Sequence, residues 1–288
     1  MKKKLIIPVM LMAAALLAAP SCQREETVSR NPESALRENP SAGPVRLKAG
    51  IVDELPSALT VAAYTASGSS FAWKVSAALE SEGDESWYST SRMWPYNASL
   101  SFCVTNAAAD CVVRPSAGSA PVVKIPDCET DYLYCLSEDP VYGEPVEISL
   151  AHALSRVGTL SYSVPEGYSF SLTSFTFTAY TSGAVNPGTG AYYTPSQYSS
   201  AFGASMSTHG ESLSLGANDV WCIPGTYSCQ AVFTVSKGEY VRSYTRTGSL
   251  TFARGELNNI CVTVSDDDAV ECTFTVSIQP WVSQNLDF

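Results

Sequence analysis

From about Val45 onward, apolar and polar positions alternate along this chain, which is the period of an extended strand with one face buried. Tyr227, Cys229, Ala231, Phe233 and Val235 alternate with polar residues, and Ser236-Lys237-Gly238-Glu239 then supplies a turn. Tyr240, Arg242, Tyr244 and Arg246 continue the alternation beyond it, so the pair predicts a β-hairpin. Cys272, Phe274, Val276 and Ile278 repeat the pattern near the end. Ile260, Val262 and Val264 do so just before the acidic turn Asp266-Asp267-Asp268.

Further strands are predicted at Leu59–Tyr64, Ser99–Thr105, Tyr132–Leu136, Val146–Leu150, Val157–Val164, Phe170–Tyr180 and Ser249–Phe252. They recur at intervals typical of β-sandwiches, with Gly, Pro, Asn and Asp between them. No stretch after residue 20 carries a helical period, and Ala151 to Arg156 reads as a turn. The fold class is all-β. The turn signal Pro165-Glu166-Gly167 divides the strands into two sets, which predicts an N-terminal sandwich over 45–165 and a C-terminal one over 166–288.

The N-terminus reads as an address. Met1 is followed by three lysines, then by an apolar run from Leu5 to Ala19, then by Pro20, Ser21 and Cys22. A basic start, a short apolar core and small residues before the break form a secretory signal over 1–21. The run is too short to span roughly 30 Å of hydrocarbon. Cys22, directly after it, is the expected lipidated first residue, and several acyl chains on one cysteine hold a protein stably at a membrane. Gln23-Arg24-Glu25-Glu26 resembles the acidic surface-export signal of Bacteroidetes lipoproteins. Residues 22–44 read as a polar tether or propeptide, broken by Asn31-Pro32, Asn39-Pro40 and Gly43-Pro44.

Composition narrows the chemistry. The 288 residues carry 17 Lys and Arg against 28 Asp and Glu, a net charge of −11. Nucleic-acid backbones are bound chiefly by Lys and Arg, so no nucleic-acid partner is expected. With two histidines in the whole chain, few metal or acid–base sites can be built. His152 and Ser155 could be imagined as a dyad, but no G-x-S-x-G accompanies them. The three consecutive aspartates lack the spacing of a calcium loop. No catalytic residues, metal or cofactor are expected, and the chain does not read as an enzyme. Besides Cys22 there are eight cysteines: Cys103, Cys111, Cys128 and Cys135, then Cys222, Cys229, Cys261 and Cys272. In an exported protein, four and four permits two disulfides per domain, and four cysteines allow three pairings, so the connectivity stays open.

Trp94-Pro95 leads into Leu100-Ser101-Phe102. Then come Asp131-Tyr132-Leu133-Tyr134, the segment from Val146 to Val157 with His152, Ala153 and Arg156, and finally Ser277-Ile278-Gln279-Pro280-Trp281. In that order, behind a lipoprotein signal, these landmarks resemble the fimbrillin family of Bacteroidetes, the fimbrial subunits and their relatives. The resemblance implies two tandem transthyretin-like β-sandwich domains, export to the outer membrane and cell surface, and assembly into a fimbrium after an arginine-specific protease removes an N-terminal strand. A strand from the next subunit, a copy or another fimbrillin, then fills the groove. Such a contact is head-to-tail and propagates into a filament.

The expected processing sites are Arg46, preferred, and Arg37. The expected donor lies beyond Pro280, where Val282, Leu286 and Phe288 share one face of an extended strand and Trp281 takes the other. An alternative reading is a monomeric surface lipoprotein that binds a glycan or host ligand through Tyr192, Tyr193 and Tyr198 in the loop Gly183 to Tyr198, since aromatic faces stack on sugars.

Overall fold

The computed structural model describes residues 36–49, 55–82, 85–96, 98–193, 200–206, 213–214, 220–265 and 272–280. In chain order its strands are β1 (Pro44–Ala49), β2 (Ala58–Tyr64), β3 (Trp73–Glu82), β4 (Glu85–Met93), β5 (Ser101–Thr105), β6 (Val112–Val113), β7 (Val122–Ile125), β8 (Leu133–Ser137), β9 (Val146–Ile148) and β10 (Ala151–His152). The second run is β11 (Ser155–Ser163), β12 (Ser169–Ala179), β13 (Gly183–Val185), β14 (Tyr192–Tyr193), β15 (Ser200–Met206), β16 (Leu213–Ser214), β17 (Val220–Cys222), β18 (Gly225–Lys237), β19 (Tyr240–Phe252), β20 (Glu256–Val264) and β21 (Cys272–Pro280). Two short 3-10 turns, Pro40–Ala42 and Ala109–Cys111, are the helical segments among the described residues. The all-β sandwich expected from the two-residue period is the fold the chain adopts.

Ten strands before residue 153 build mainly one sheet, in the order β10-β8-β5-β2-β3-β4-β1-β9. One face of it sends Val45, Leu47, Leu59, Val61, Tyr88, Phe102, Val104, Val146 and Ile148 into a single buried cluster. A sheet packs a core against itself only by curling over, which brings its two ends towards each other. Trp94 meets Phe102 edge-on at 5.7 Å inside that cluster. Residues 36–43, expected as part of the tether, already dock on this sheet. The Asn39 N–H donates to Trp94 O at 2.6 Å, and Arg92 pairs with Glu38 at 3.2 Å.

The later strands build two sheets face to face, β16-β11-β20-β21 with β17 beside β11, and β15-β12-β18-β19. Between them lies a core that includes Phe170, Leu172, Phe175, Phe177, Phe233, Phe252, Ile260 and Val262. The sequence of β12 changes phase midway: Phe170 and Leu172 face inward on even positions, Phe175, Phe177 and Ala179 on odd ones. The register against β18 shifts between Leu172 and Ser174, so a β-bulge absorbs the extra residue and keeps both sets inside. On the outer face, cross-strand pairs are hydroxylated, with Thr226–Thr251 and Thr234–Ser243 each bonded at 2.9 Å. The β18–β19 hairpin turns at Gly238, whose φ of +59 suits a tight two-residue turn.

Two predictions follow from these cores. Phe233→Ala, at a side chain that is fully buried and stacks on Tyr244 at 5.6 Å, should cost about 3–5 kcal/mol in urea denaturation. Thr247→Ala on the outer face should stay within about 0.5 kcal/mol.

Burial pushes the Tyr88 phenol up to about 12, and burial with the nearby Cys135 pushes the Cys103 thiol up to about 12. Both therefore keep their protons in the fold at pH values where the unfolded chain has lost them. Stability should be complete below about pH 9 and fall as pH rises towards 12. A urea midpoint unchanged between pH 8 and pH 11 would contradict this.

Candidate functional site

Two places in the molecule carry more than packing: the slot that holds β1, and the seam where the two sets of strands meet.

β1 lies between β4 and β9. It pairs antiparallel with β4 (Leu47 opposite Tyr88, Lys48 opposite Trp87) and parallel with β9 (Leu47 opposite Val146, Lys48 opposite Glu147). Its inward side chains, Val45 and Leu47, have no solvent exposure. Thr90 Oγ1 donates to Val45 O at 2.9 Å. Arg46 and Lys48 point the other way and both cover Trp87, the Arg46 guanidinium 4.5 Å and Lys48 Nζ 5.5 Å from the ring. Taking β1 away would leave two rows of unpaired backbone groups on β4 and β9 and an apolar floor between them.

The two expected processing arginines differ in setting. Arg37 is exposed, and its carbonyl accepts from the Tyr96 N–H at 2.8 Å. Arg46 lies inside β1, so its peptide bond becomes cleavable only when β1 frays. A cut after Arg46 removes Pro44, Val45 and Arg46 and leaves Leu47–Ala49 as a three-residue stub. Cys22, Tyr198, and the donor residues Trp281, Val282, Leu286 and Phe288 lie outside the described residues. The described chain ends at Pro280 on β21, an edge strand of its sheet.

The seam forms where the chain leaves β10 and enters β11. Three backbone groups of this short crossing have partners from elsewhere in the fold, and the Ser155 side chain adds a fourth bond. The Ala153 N–H donates to Tyr132 O at 2.7 Å, and Leu154 O accepts from the Gly255 N–H at 2.8 Å. Ala153 O accepts from the Tyr192 hydroxyl at 2.6 Å, and the Ser155 hydroxyl donates to Ala253 O at 2.7 Å. His152 Nδ1 lies 2.6 Å from Asp131 Oδ2.

Asn258 is fully buried and ties the adjacent turn. Its Oδ1 accepts from the Ala253 N–H at 3.0 Å, and its Nδ2 donates to Glu256 O at 2.7 Å and Arg156 O at 3.2 Å. A fourth sheet, β14-β13-β7-β6, takes two strands from each side of the seam. Beneath it a third core joins Cys103, Val123, Ile125 and Tyr134 to Leu154, Val185 and Ile223.

The imagined His152–Ser155 dyad is not assembled, since the buried Ser155 hydroxyl donates its proton to the Ala253 carbonyl. The glycan candidates divide. Gly183 to Tyr193 is a β-hairpin of the fourth sheet rather than a loop, and Tyr192 spends its hydroxyl on Ala153. Burial raises the Tyr192 phenol well above its ordinary value. Tyr193 is 56% exposed.

Beside the seam, a cavity of about 420 Å³ opens between Tyr134, Glu147, Ser149, Gly188 and Arg254. Arg254 Nη1 donates to the Tyr134 hydroxyl. Gly190, at φ +68, brings its backbone so close to this guanidinium that a Cβ would collide with it. Arg254, Asn258 and Tyr134 escaped the sequence reading as site residues. An asparagine on the inward phase of a strand, as in Leu257-Asn258-Asn259-Ile260, was the signal that could have found Asn258.

No family model matches the chain, and no curated protein matches it. Among solved structures, two from Parabacteroides distasonis ATCC 8503 and one from Bacteroides eggerthii DSM 20697, all described as candidate cell adhesion proteins, are similar. The first gives a TM-score of 0.52 at 10% identity, over 82% of this chain and 98% of that one. The second gives 0.51 at 11%, over 83% and 97%. The third gives 0.50 at 13%, over 83% and 96%. At these identities the likeness is one of fold, and it agrees with the fimbrillin-like resemblance of the sequence landmarks.

The seam account is testable through one hydroxyl. Tyr192→Phe leaves Ala153 O buried without its donor and should cost about 1–3 kcal/mol in urea denaturation. Tyr193→Phe should leave stability unchanged.

Proposed function

We propose that this chain is a non-enzymatic structural and adhesive subunit of the cell surface, a fimbrillin-like pilin that assembles by strand replacement at the β1 slot. The observation that carries the reading is β1 itself: an N-terminal strand held between two neighbours, with an arginine in its middle and two fully buried side chains pointing into the core. A protease that cuts after Arg46 during a fraying event removes half of the strand, and the stub of Leu47–Ala49 has too few ladder bonds to hold its place. The vacated slot then offers β4 and β9 to an extended segment with the same inward alternation. The segment from Trp281 to Phe288, with Val282, Leu286 and Phe288 on one face, is the donor from the next subunit. A cut at Arg37 leaves β1 whole and serves to free the folded body from the lipid on Cys22.

The partners on this reading are other fimbrillin subunits, added head-to-tail, and the outer membrane through Cys22. The fold's likeness to cell adhesion proteins supports a surface role. A host protein or glycan is met elsewhere on the assembled filament. Among the described candidates Tyr192 spends its hydroxyl on Ala153 O, so the glycan-binding alternative draws its support there from Tyr193 alone.

The test uses the exported chain treated with an arginine-specific protease and followed on native gels. Cleavage at Arg46 should produce a ladder of oligomers. Deleting residues 281–288 should abolish the ladder while the circular dichroism of the monomer stays unchanged. Polymerisation of the truncated protein would refute the donor assignment.

A further inference from the structure

The cavity beside the seam is walled by three separate stretches of chain. β8 and the run from β9 to β10 supply one wall, the tip of the β13–β14 hairpin a second, and the turn between β19 and β20 a third. Its volume of about 420 Å³ lies within the range of small-ligand sites, roughly 300–1,000 Å³. Arg254 is the cation of this wall and Glu147 its acid, and the two do not pair with each other.

Arg254 is held rather than loose. Its Nη1 donates to the Tyr134 hydroxyl, and the centre of its guanidinium lies 5.9 Å from the centroid of the Tyr134 ring. Tyr134 is only 3% exposed, so its ring is a fixed support. The Gly190 backbone also stands close against the guanidinium, with no room between them for a side chain. The hydroxyls of Tyr134 and Tyr192 occupy at most two of the five N–H donors. A guanidinium held in this way offers paired N–H groups at the spacing of the two oxygens of a carboxylate.

Glu147 narrows the class of ligand further. An ionised carboxylate accepts hydrogen bonds and donates none, so whatever meets Glu147 must bring its own donors. The same charge repels a doubly charged phosphate more strongly than a single carboxylate. Ser149 and Thr189 add hydroxyls to the wall. The ligand that satisfies all of these groups carries one carboxylate and several hydroxyls.

We propose that this cavity binds an acidic sugar, a uronic or sialic acid residue. Its carboxylate is held by Arg254, and its hydroxyls bond to Glu147 and Ser149. The site is complete in the monomer and needs neither cleavage nor polymerisation. Its failure would therefore leave strand replacement untouched, and the reverse holds as well.

The test is isothermal titration calorimetry on the full chain before proteolysis. The probes are methyl β-D-glucuronide and the methyl glycoside of N-acetylneuraminic acid, and the controls are methyl β-D-glucoside, L-alanine and inorganic phosphate. At least one acidic glycoside should bind saturably at a single site. The glucoside, with a hydroxymethyl group in place of the carboxylate, should bind at least roughly tenfold more weakly. Arg254→Gln should weaken binding by a similar factor, with a melting curve to confirm its fold. Should that variant not fold, Thr189→Trp at the exposed hairpin tip fills the cavity from its rim and should block binding with the Arg254–Tyr134 bond intact. Saturable binding of neither acidic glycoside, equal affinity for the glucoside, displacement by phosphate or L-alanine, or full binding by either folded variant would overturn the proposal.

Discussion

The crossing at Ala153–Ser155 is the constraint on which the rest of the molecule depends. Two all-β bodies joined by a bare linker would swing freely, because interfaces between domains of one chain are usually small and polar. Here the crossing backbone is bonded to Tyr132 on one side and to Gly255 and Tyr192 on the other, and the Ser155 hydroxyl donates to Ala253 O. A buried carbonyl or amide that loses its partner costs about 1–3 kcal/mol, so any rotation at the seam would break several such bonds together. The fourth sheet adds backbone ladder bonds between β7 and β13, and the shared core removes water from between the two sides.

A seam of this kind makes mechanical sense of the proposed role. In a filament built head-to-tail, tension enters one end of each subunit and leaves at the other. The β1 slot lies in the first sheet, and the last described strand, β21, lies in the facing sheets. Force between a filled slot and a donor segment therefore passes through the seam. Asn258 ties the turn that faces the crossing, and Arg254 in that turn donates to the Tyr134 hydroxyl of the first sheet.

The long antiparallel elements were legible in the sequence because their cores are local alternations. The β18–β19 hairpin reads directly from Tyr227 to Arg246, with no slip in phase. β12 was located despite its bulge, since both of its phases are rich in phenylalanine. β3 was not, because Ala77, Ala78, Leu79 and Glu80 favour a helix when read alone, and only pairing with β2 and β4 makes them a strand. The hairpin of β13 and β14 read as a loop for a related reason: Gly183, Pro187, Gly188 and Gly190 are turn residues, and its two short strands exist by virtue of β7, nearly sixty residues away. The landmark residues Asp131, Tyr132, Tyr134 and His152 were visible as a motif, yet their purpose was not. Each bonds a partner distant in sequence, and no local period encodes such a bond.

Strand replacement at the β1 slot is the central claim, and the backbone amides that line the slot report on it most directly. Hydrogen–deuterium exchange on β4 and β9 would be compared in the intact monomer, in the Arg46-cleaved monomer held dilute, and in the polymer. Protection that is lost on cleavage and regained on polymerisation is the predicted result, since the same edges are bared and then paired again. Protection unchanged by cleavage, or lost and never regained in the polymer, would contradict it.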